Sequence, residues 1–412
     1  MYDHPYLEMA GSSGGSWTEV DDDILMPLPP GSELFLLPDR VPVGYDRKKK
    51  RFVKLGKDPH NPQKKVQAVA AFMAPAHTQI LTAAYHSKQK ASILPLFSYT
   101  AVGWQGGQFV VAGVRVDPLM RQDIDQFDLE RLERRAKRAL TLQSHNRLIQ
   151  HLGSCALTYG CPAAKNYFLG RWEAPLPTSP QCNAHCLGCI SLQEGDQICA
   201  TQERITFVPT PEEIAEVAVS HLREAEDPLV SFGQGCEGEP LMQGKTLKEA
   251  VKLIRGQTGA GTINLNTNGS LPQTIAELRD DGLDSIRVSL NSAREAYYHA
   301  YYRPRGYSYS DVTGSIRAMK SRGGFVSINL LTLPGLTDEE GEVEAIIRLI
   351  GETGIDLIQM RNLNIDPEWY LREIGYRSSG RSIGILEMMK RIRASHPQVN
   401  FGYFNPCLNP SK

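Results

Sequence analysis

Long apolar runs are missing from this sequence. The longest apolar stretches, such as Ala68–Pro75, are far shorter than the roughly 20 residues that a membrane-spanning helix needs. The segment Met1–Pro5 has no basic region followed by an apolar one, as a secretory signal requires. We therefore expect no membrane partner and a cytoplasmic location.

The chain also lacks an excess of charge of either sign. It has 45 Lys and Arg residues against 46 Asp and Glu residues, a net charge of -1. Its overall composition therefore does not indicate nucleic-acid binding. Glycine and proline number 36 and 26 among 412 residues, too few for a low-complexity or collagen-like chain. This length suits two to three domains, or one α/β barrel with an added module.

The first 170 residues show no regular alternation of strands and helices. We expect residues 1–30 to be loosely ordered, because they contain a Gly/Ser run and a Pro-rich segment. Residues 31–170 are predicted to form a module that is first β-rich and then helical, with apolar spacings of three and four over 122–152. The candidate strands are Leu34–Leu37, Val66–Phe72, Thr78–Ala83, Ile93–Thr100 and Phe109–Val116, the last two forming a hairpin.

From residue 171 onwards, strands and helices alternate. Helix starts are marked by capping-box patterns at Thr210, Thr246 and Thr337, each with Glu three residues later. The pattern predicts an α/β fold, a partial (β/α)6 barrel over residues 171–365 with a short C-terminal extension over 366–412. The predicted strands are Trp172–Leu176, Leu229–Phe232, Thr262–Asn266, Ser285–Leu290, Phe325–Leu331, Leu357–Asn362 and, after the barrel, Asn400–Tyr403.

Seven of the eight cysteines lie between residues 155 and 236, and Cys182, Cys186 and Cys189 form a C-x3-C-x2-C motif directly after the first barrel strand. In a reducing compartment, such a cluster indicates metal binding or catalysis rather than disulfides. Three thiolates on one loop can bind a [4Fe–4S] cluster and leave one iron open. A zinc knuckle completed by His185 or Cys199 is the alternative.

Further motifs follow the next strands in order: Gly235–Pro240, Asn266–Gly269, Arg287–Asn291, Asn329–Gly335 and Gln359–Arg361. Together with the cysteines they resemble the radical S-adenosylmethionine (SAM) superfamily over about residues 171–365. The resemblance implies that Cys182, Cys186 and Cys189 bind the [4Fe–4S] cluster and are essential for catalysis. It also implies SAM contacts at strand ends, where polar residues face the ligand. These are Gly238, Glu239, Thr267, Asn268, Ser289, Asn291, Asn329 and Arg361.

The chemistry of these residues supports the assignment independently. A glycine-rich turn lets the backbone approach a ligand, and Glu239 offers a carboxylate to an ammonium group. Ser289, Asn291 and Asn329 can bond ribose hydroxyls. The structural alternatives are that Asn268 belongs to an ordinary turn and that Glu239 caps the next helix.

Two positions depart from the family pattern. The family usually has an aromatic residue before the third cysteine, where this chain has Gly188. Glu237 stands where the family has a first glycine, and Cys236 precedes it. These differences predict an adenine contact from elsewhere in the chain and a loop richer in ligand-like side chains.

The resemblance implies an enzyme in which the reduced cluster passes one electron to SAM. Cleavage then yields methionine and a 5′-deoxyadenosyl radical, which abstracts hydrogen from a substrate. The expected partners are an unidentified substrate (a small molecule, peptide or RNA) and an electron donor such as flavodoxin or ferredoxin. The alternative is a non-catalytic zinc-binding or nucleic-acid-binding protein that uses the cysteine triad as a structural metal site.

The remaining sequence signals are open to two interpretations. Five cysteines outside the triad form either an auxiliary cluster or small buried hydrophobes: Cys155, Cys161, Cys199, Cys236 and Cys407. Cys407 follows the last strand, so we expect it near the active-site face, where a thiol can donate hydrogen or form a covalent intermediate. Residues 47–90 contain 11 Lys or Arg against Asp58 alone, which fits either an RNA contact or a solvated face.

Overall fold

Short antiparallel strands build the first part of the chain. The computed structural model describes residues 7–58, 61–193, 195, 197–378 and 380–409. The strands in this first part pair with one another in antiparallel hairpins and small sheets. They are β1 (Leu7–Ser13), β2 (Ser16–Glu19), β3 (Leu25–Pro27), β4 (Glu33–Leu37), β5 (Arg40–Asp46), β6 (Arg51–Lys54), β7 (Ala68–Phe72), β8 (His77–Gln79), β9 (Thr82–Ala83), β10 (Tyr85–Ser87), β11 (Val102–Gln105) and β12 (Gln108–Arg115).

Three expectations for this module were wrong. Residues 7–27 carry strands rather than a loosely ordered segment, because β1 pairs with β2, β5 and β9; residues 1–6 lie outside the described residues. Residues 93–100 form no strand, and the hairpin partner of β12 is β11. The predicted strand over 78–83 is split between β8 and β9, since the chain turns at residues 80 and 81.

Three helices follow the strands, where the sequence predicted one helical stretch. They are α1 (Leu129–Leu142), α2 (Arg147–Leu157) and α3 (Pro162–Leu169). The break comes at Asn146, whose side chain accepts the amide of Ile149 and so caps α2.

Seven parallel strands then form a curled sheet, in which neighbours in the chain are neighbours in space. This confirms the predicted partial barrel, with the last strand adding a seventh to the expected six. The strands are β13 (Arg171–Pro175), β14 (Glu226–Phe232), β15 (Thr262–Thr267), β16 (Ser285–Leu290), β17 (Phe325–Thr332), β18 (Leu357–Asn362) and β19 (Asn400–Gly402). The helices are α4 (Pro211–Glu224), α5 (Gly244–Gln257), α6 (Pro272–Asp280), α7 (Glu295–Tyr302), α8 (Tyr309–Lys320), α9 (Glu340–Thr353), α10 (Pro367–Glu373) and α11 (Ile385–Ser395).

Only one of the three predicted capping boxes forms. Thr210 and Glu213 cap α4 reciprocally. At α5 the helix begins before Thr246, at Gly244, so Thr246 lies inside the first turn. At α9 the hydroxyl of Thr337 accepts the amide of Leu333, which leaves it in the preceding turn rather than at the helix start.

The two faces of the parallel sheet differ in polarity. Residues such as Ile263, Ile286 and Ile328 are fully buried, and they alternate along their strands with polar residues. Positions opposite one another in register share a face, and Asn266, Arg287 and Ser327 are matched in this way. The apolar face packs against the helices, and the polar face lines the inside of the barrel.

The N-terminal module is fixed to the carboxyl ends of β17 and β18. Gln79 donates from its backbone to Asn362 (2.8 Å) and from its side chain to the carbonyl of Thr332 (3.1 Å). Arg40 and Asp366 form a buried ion pair at 2.9 Å, with side-chain exposures of 3% and 2%. The module therefore stands at the edge of the barrel where catalytic residues gather in this class of fold.

Candidate functional site

The three cysteines of the C-x3-C-x2-C motif lie on a loop that α7 holds in place. The amide of His185 donates to the carbonyl of Tyr302 (2.9 Å), and the amide of Leu187 donates to that of Tyr301 (3.0 Å). These carbonyls belong to the last turn of α7, where they have no partner inside the helix. The helix end thus fixes the backbone between the thiols.

The thiols are held in a water-poor environment. Burial, together with the nearby charge of Glu239, raises the pKa of Cys182 to about 11. Burial and the neighbouring Cys189 and Cys182 raise the pKa of Cys186 well above its ordinary value. Cys182 and Cys186 therefore hold their protons more tightly than ordinary thiols, and a bound cation must displace these protons.

The spacing of the thiols fits a cluster better than a single metal ion. Around one zinc ion, sulfur atoms bound at about 2.3 Å lie about 3.8 Å apart. Among the described residues, the triad is not a group whose ligand atoms all lie within 4.8 Å of one another, with or without His185 or Cys199. Cys199 is exposed, and the ring of His185 faces Arg305 (3.4 Å). Wider spacing suits a cubane, in which each thiolate binds a different iron.

Glu239 lies in the loop after β14, beside the cysteine loop. Its backbone amide donates to the carbonyl of Gln181 (2.8 Å), next to Cys182. A Cβ atom at Gly238 would lie 2.1 Å from the carbonyl oxygen of Gln181, so only glycine fits there. The two predicted SAM-contacting residues are thereby brought against the cysteine loop.

The carboxylate of Glu239 is buried and already engaged. It accepts the hydroxyl of Thr267 (2.5 Å), the amide of Asn268 (2.7 Å) and the amide of Leu241 (3.1 Å). The bond to Leu241 caps a short 3-10 helix, so the capping alternative describes part of its role. Burial raises the pKa of Glu239 to about 7 against these hydrogen bonds. Thr267 and Asn268 therefore reach the site as partners of Glu239.

Asn268 also links this edge to the cysteine loop. Its side-chain amide donates to Asn183 (2.7 Å), the residue after Cys182. Its carbonyl oxygen accepts the amide of Ser270 (3.0 Å), which is the turn that the sequence offered as an alternative.

Three other predicted SAM contacts share the inner face of the barrel. Ser289 is in register with Asn329, and Arg361 lies on β18 opposite Leu331. Oδ1 of Asn329 and Nε of Arg361 are buried without a protein partner, so they are free to meet a ligand. Arg361 also donates to the carbonyl of Tyr403 (2.8 Å), with its guanidinium 3.6 Å from the Tyr403 ring centre.

Asn291 is placed differently from the other predicted contacts. It is fully buried, and its side-chain amide donates to the carbonyl of Tyr297 and the hydroxyl of Tyr370, both at 3.1 Å. These bonds tie the segment after β16 to α7 and α10. Its Oδ1 is left without a protein partner.

The missing aromatic residue at Gly188 has a structural counterpart. A Cβ atom at Gly188 would lie 3.0 Å from the hydroxyl of Tyr301 and 3.4 Å from Ile365. Tyr301, from α7, therefore occupies the space beside the third cysteine. No spacing rule connects residues 188 and 301, so the sequence did not reveal this contact.

Sequence reasoning also missed Arg204. Its guanidinium lies 3.6 Å from Sγ of Cys189 and 3.1 Å from the hydroxyl of Ser191. A cation at this distance stabilises a thiolate and the negative charge of a bound cluster. The residue falls outside every motif, although it was a basic residue 15 positions after Cys189.

Glu237 is a structural carboxylate rather than a free ligand. One oxygen accepts the amides of Thr178 (2.8 Å) and Ser179 (2.9 Å), before Cys182. The other accepts the amides of Gly233 (2.6 Å) and Gln234 (3.1 Å), after β14. Glu237 therefore joins the two loops that carry the candidate site.

The expectation for Cys407 was wrong. Its Sγ lies 3.9 Å from the hydroxyl of Thr262 and 3.6 Å from the carbonyl of Pro228. Both residues belong to the amino-terminal ends of their strands, at the edge opposite the cysteine triad. After β19 the chain crosses the barrel, where Asn405 binds Glu173 (2.8 Å), before it reaches Cys407.

These features define a class: a parallel α/β half-barrel with a thiol triad after its first strand and polar residues on its inner face. Comparison with known families agrees, since residues 176–350 match the model of the radical SAM superfamily. This part of the chain is therefore similar to radical SAM proteins. Proteins of the superfamily use a [4Fe–4S] cluster and SAM, as the sequence predicted.

Curated relatives match only part of the chain. GTP 3′,8-cyclase of Heliobacterium modesticaldum is 28% identical over 162 residues, which are 39% of this chain and 46% of that protein. GTP 3′,8-cyclase of a Sulfurovum species is 27% identical over 167 residues, with the same coverage. The chain thus spans less than half the length of these relatives.

Solved structures match a larger part of the chain at lower sequence identity. Methylornithine synthase is 18% identical with a TM-score of 0.40, covering 65% of this chain and 73% of that one. A radical SAM methyltransferase from Sphaerobacter thermophilus is 15% identical with a TM-score of 0.41, covering 56% and 65%.

Proposed function

We propose that this protein is a radical SAM enzyme that reductively cleaves SAM and uses the resulting radical to take hydrogen from a substrate. The observation that carries the proposal is the thiol triad on one loop, with the buried carboxylate of Glu239 against the same loop. When bound, the cluster and SAM supply one electron and the 5′-deoxyadenosyl group.

The chain's own residues bind and orient these groups. Cys182, Cys186 and Cys189 bind the cluster, while Arg204 offsets its negative charge. Oε1 of Glu239 already accepts two hydrogen bonds, whereas Oε2 accepts one, so Oε2 can bind the ammonium group of SAM.

Buried tyrosines shield the site from water. Tyr298, Tyr301 and Tyr302 have exposures of 0%, 4% and 5%. Their rings pack against one another, with centroids 4.5 Å apart for Tyr298 and Tyr302. This packing excludes solvent hydrogen donors that would quench a radical on the triad side of α7.

The inner face of the barrel favours a substrate with an anionic group. Arg287 donates to Gln359 (3.2 Å), and its Nε is buried without a protein partner, as is that of Arg361. Burial lowers the pKa of Arg287 to about 9, and the positive charge of Arg361 adds to the effect. A carboxylate or phosphate between the two guanidinium groups would relieve this repulsion.

The expected partners and location remain part of the proposal. All eight cysteines are free thiols, which suits a reducing compartment such as the cytoplasm. An electron donor of the flavodoxin or ferredoxin type would reduce the cluster. Within the described parts of the chain, the helices are too short or too polar to cross a bilayer.

The substrate class follows less directly from the structure. Of the basic residues at 47–90, Arg47 pairs with Glu8 and Lys49 with Asp46, at an exposed hairpin. This pairing favours the solvated-face interpretation over an RNA contact.

The test is anaerobic reconstitution with iron and sulfide, followed by dithionite and SAM. We expect four iron and four sulfide per chain and release of 5′-deoxyadenosine, measured by chromatography. Cys182→Ala should abolish both, whereas Cys199→Ala, at an exposed thiol, should leave them unchanged. Zinc without sulfide, and no SAM cleavage, would overturn the proposal in favour of a structural metal site.

The anionic substrate is tested through deuterium transfer. Deuterated candidate compounds are incubated with enzyme and SAM, and deuterium in 5′-deoxyadenosine identifies the substrate. Arg287→Gln should raise KM for an anionic substrate at least tenfold while SAM cleavage without substrate continues. A neutral substrate with an unchanged KM would contradict this part of the proposal.

A further inference from the structure

A second group of metal-ligating side chains lies outside the triad. His151 and Cys155 are one turn apart on α2, and Cys236 lies in the loop after β14. Their ligand atoms all lie within 4.8 Å of one another. Nε2 of His151 is 3.5 Å from Sγ of Cys155.

These distances match the edges of a zinc tetrahedron. With Zn–S of about 2.3 Å and Zn–N of about 2.0 Å, a nitrogen and a sulfur on the same ion lie about 3.5 Å apart. Two sulfurs lie about 3.8 Å apart, within the 4.8 Å that encloses this group. The arrangement is therefore compact enough for one ion, in contrast to the triad of Cys182, Cys186 and Cys189.

The surroundings also favour a metal over a chance meeting of thiols. Cys155 and Cys236 have exposures of 4% and 5% and lie within the main apolar core. The i and i+4 positions on α2 place the imidazole and one thiol on a single helix face.

We propose that His151, Cys155 and Cys236 bind one Zn²⁺ ion. The ion is borderline-soft and prefers this set of nitrogen and sulfur donors. It would join the helical part of the N-terminal module to the loop that carries Gly238 and Glu239. The proposal does not rest on SAM cleavage.

Metal analysis of the holoprotein tests the site. Protein is produced with iron and zinc in the medium, purified without oxygen or chelators, and measured by plasma mass spectrometry. We expect one zinc per chain besides the cluster iron. Cys155→Ala and Cys236→Ala should each lower zinc at least tenfold and leave iron and sulfide unchanged, and the exposed Cys199→Ala should change neither.

The cluster variant separates this proposal from the proposed function. Cys182→Ala should lose iron and keep zinc, so failure at one site leaves the other interpretable. Wild-type protein lacking zinc, or Cys155→Ala retaining it, would overturn the zinc site. A disulfide between Cys155 and Cys236 in the anaerobic protein, found by mass spectrometry, would also overturn it.

X-ray absorption at the zinc edge keeps the test valid if the variants fail to fold. Absorption at this edge comes from zinc alone, even in the presence of iron. We expect sulfur neighbours at about 2.3 Å and a histidine nitrogen at about 2.0 Å in the wild type. A shell of oxygen and nitrogen without sulfur would contradict the assignment.

Discussion

Replacing Glu237 with glutamine should loosen both loops that carry the candidate site. The carboxylate accepts four backbone amides, two from Thr178 and Ser179 and two from Gly233 and Gln234. Glutamine has the same shape, but its NH₂ group must face one of the two amide pairs. Two hydrogen bonds to a charged group are then lost, and donors face donors.

The magnitude follows from the number of bonds lost. Each hydrogen bond to a charged group contributes about 1.5–3 kcal/mol, so the loss of two bonds should lower the free energy of local opening by about 3–6 kcal/mol. At 1.36 kcal/mol per decade, the population of locally opened molecules should rise about 10²–10⁴-fold. The cost falls on the segments before Cys182 and after β14, because these supply the four amides.

Hydrogen exchange with mass spectrometry measures this opening directly. In Glu237→Gln, peptides over 176–182 and 233–239 should exchange faster by two to four decades, while peptides over β17 stay protected. Glu249→Gln, on the exposed face of α5, is the matched control and should exchange like the wild type. Unchanged protection of both loops in Glu237→Gln would refute the assigned role of the carboxylate.

Three further predictions concern stability, iron retention and the docking of the N-terminal module. Burial lowers the pKa of His221 to about 4. The free energy of unfolding should therefore fall by about 2 kcal/mol between pH 7 and pH 5, because only the unfolded chain gains the proton in this range. Urea unfolding at the two pH values measures this change. Gly238→Ala should reduce iron retention after desalting, because its Cβ would lie 2.1 Å from the carbonyl oxygen of Gln181. Arg40→Ala should lower the free energy of unfolding by about 3–5 kcal/mol, because it leaves the buried Asp366 without its ion-pair partner. It should also speed proteolysis between the N-terminal module and the barrel.

The first two have a control variant, and the third has an outcome that would contradict it. His221→Gln removes the titrating group, so its stability should no longer fall between pH 7 and pH 5 through this site. Gly256→Ala, in α5 with no atom near its Cβ, should retain iron like the wild type. Proteolysis of Arg40→Ala at the wild-type rate would show that other contacts dock the module.

The barrel could be predicted from sequence because its signals are local. Apolar runs such as Ser285–Leu290 and Leu357–Asn362 became strands with the same bounds. The N-terminal module was predicted less well, since its short strands depend on partners far away in the chain. Gly11–Ser16 looks flexible by composition, yet Gly11 and Ser12 pair with Ala83 and Thr82.

The candidate site likewise contains some residues that the sequence predicts and others that only the fold brings together. The cysteine triad and Gly238–Pro240 stand in compact motifs, so they could be found by spacing. Arg204 and Tyr301 reach the triad through the fold alone, because no motif connects either residue with the cysteines in the sequence. Cys407 was placed at the wrong edge because the chain crosses the barrel after β19, a path that strand direction does not predict.

That crossing has a consequence for the order in which the molecule is assembled during synthesis. Glu173, at the first strand of the barrel, is buried and accepts Ser231 (2.5 Å), Gln234 (3.2 Å) and Asn405 (2.8 Å). The last of these donors is made 232 residues after the carboxylate it satisfies. Until residue 405 has left the ribosome, the buried carboxyl group of Glu173 lacks its Asn405 donor. The last hydrogen bond of the first strand therefore forms only after all seven strands of the sheet have been made.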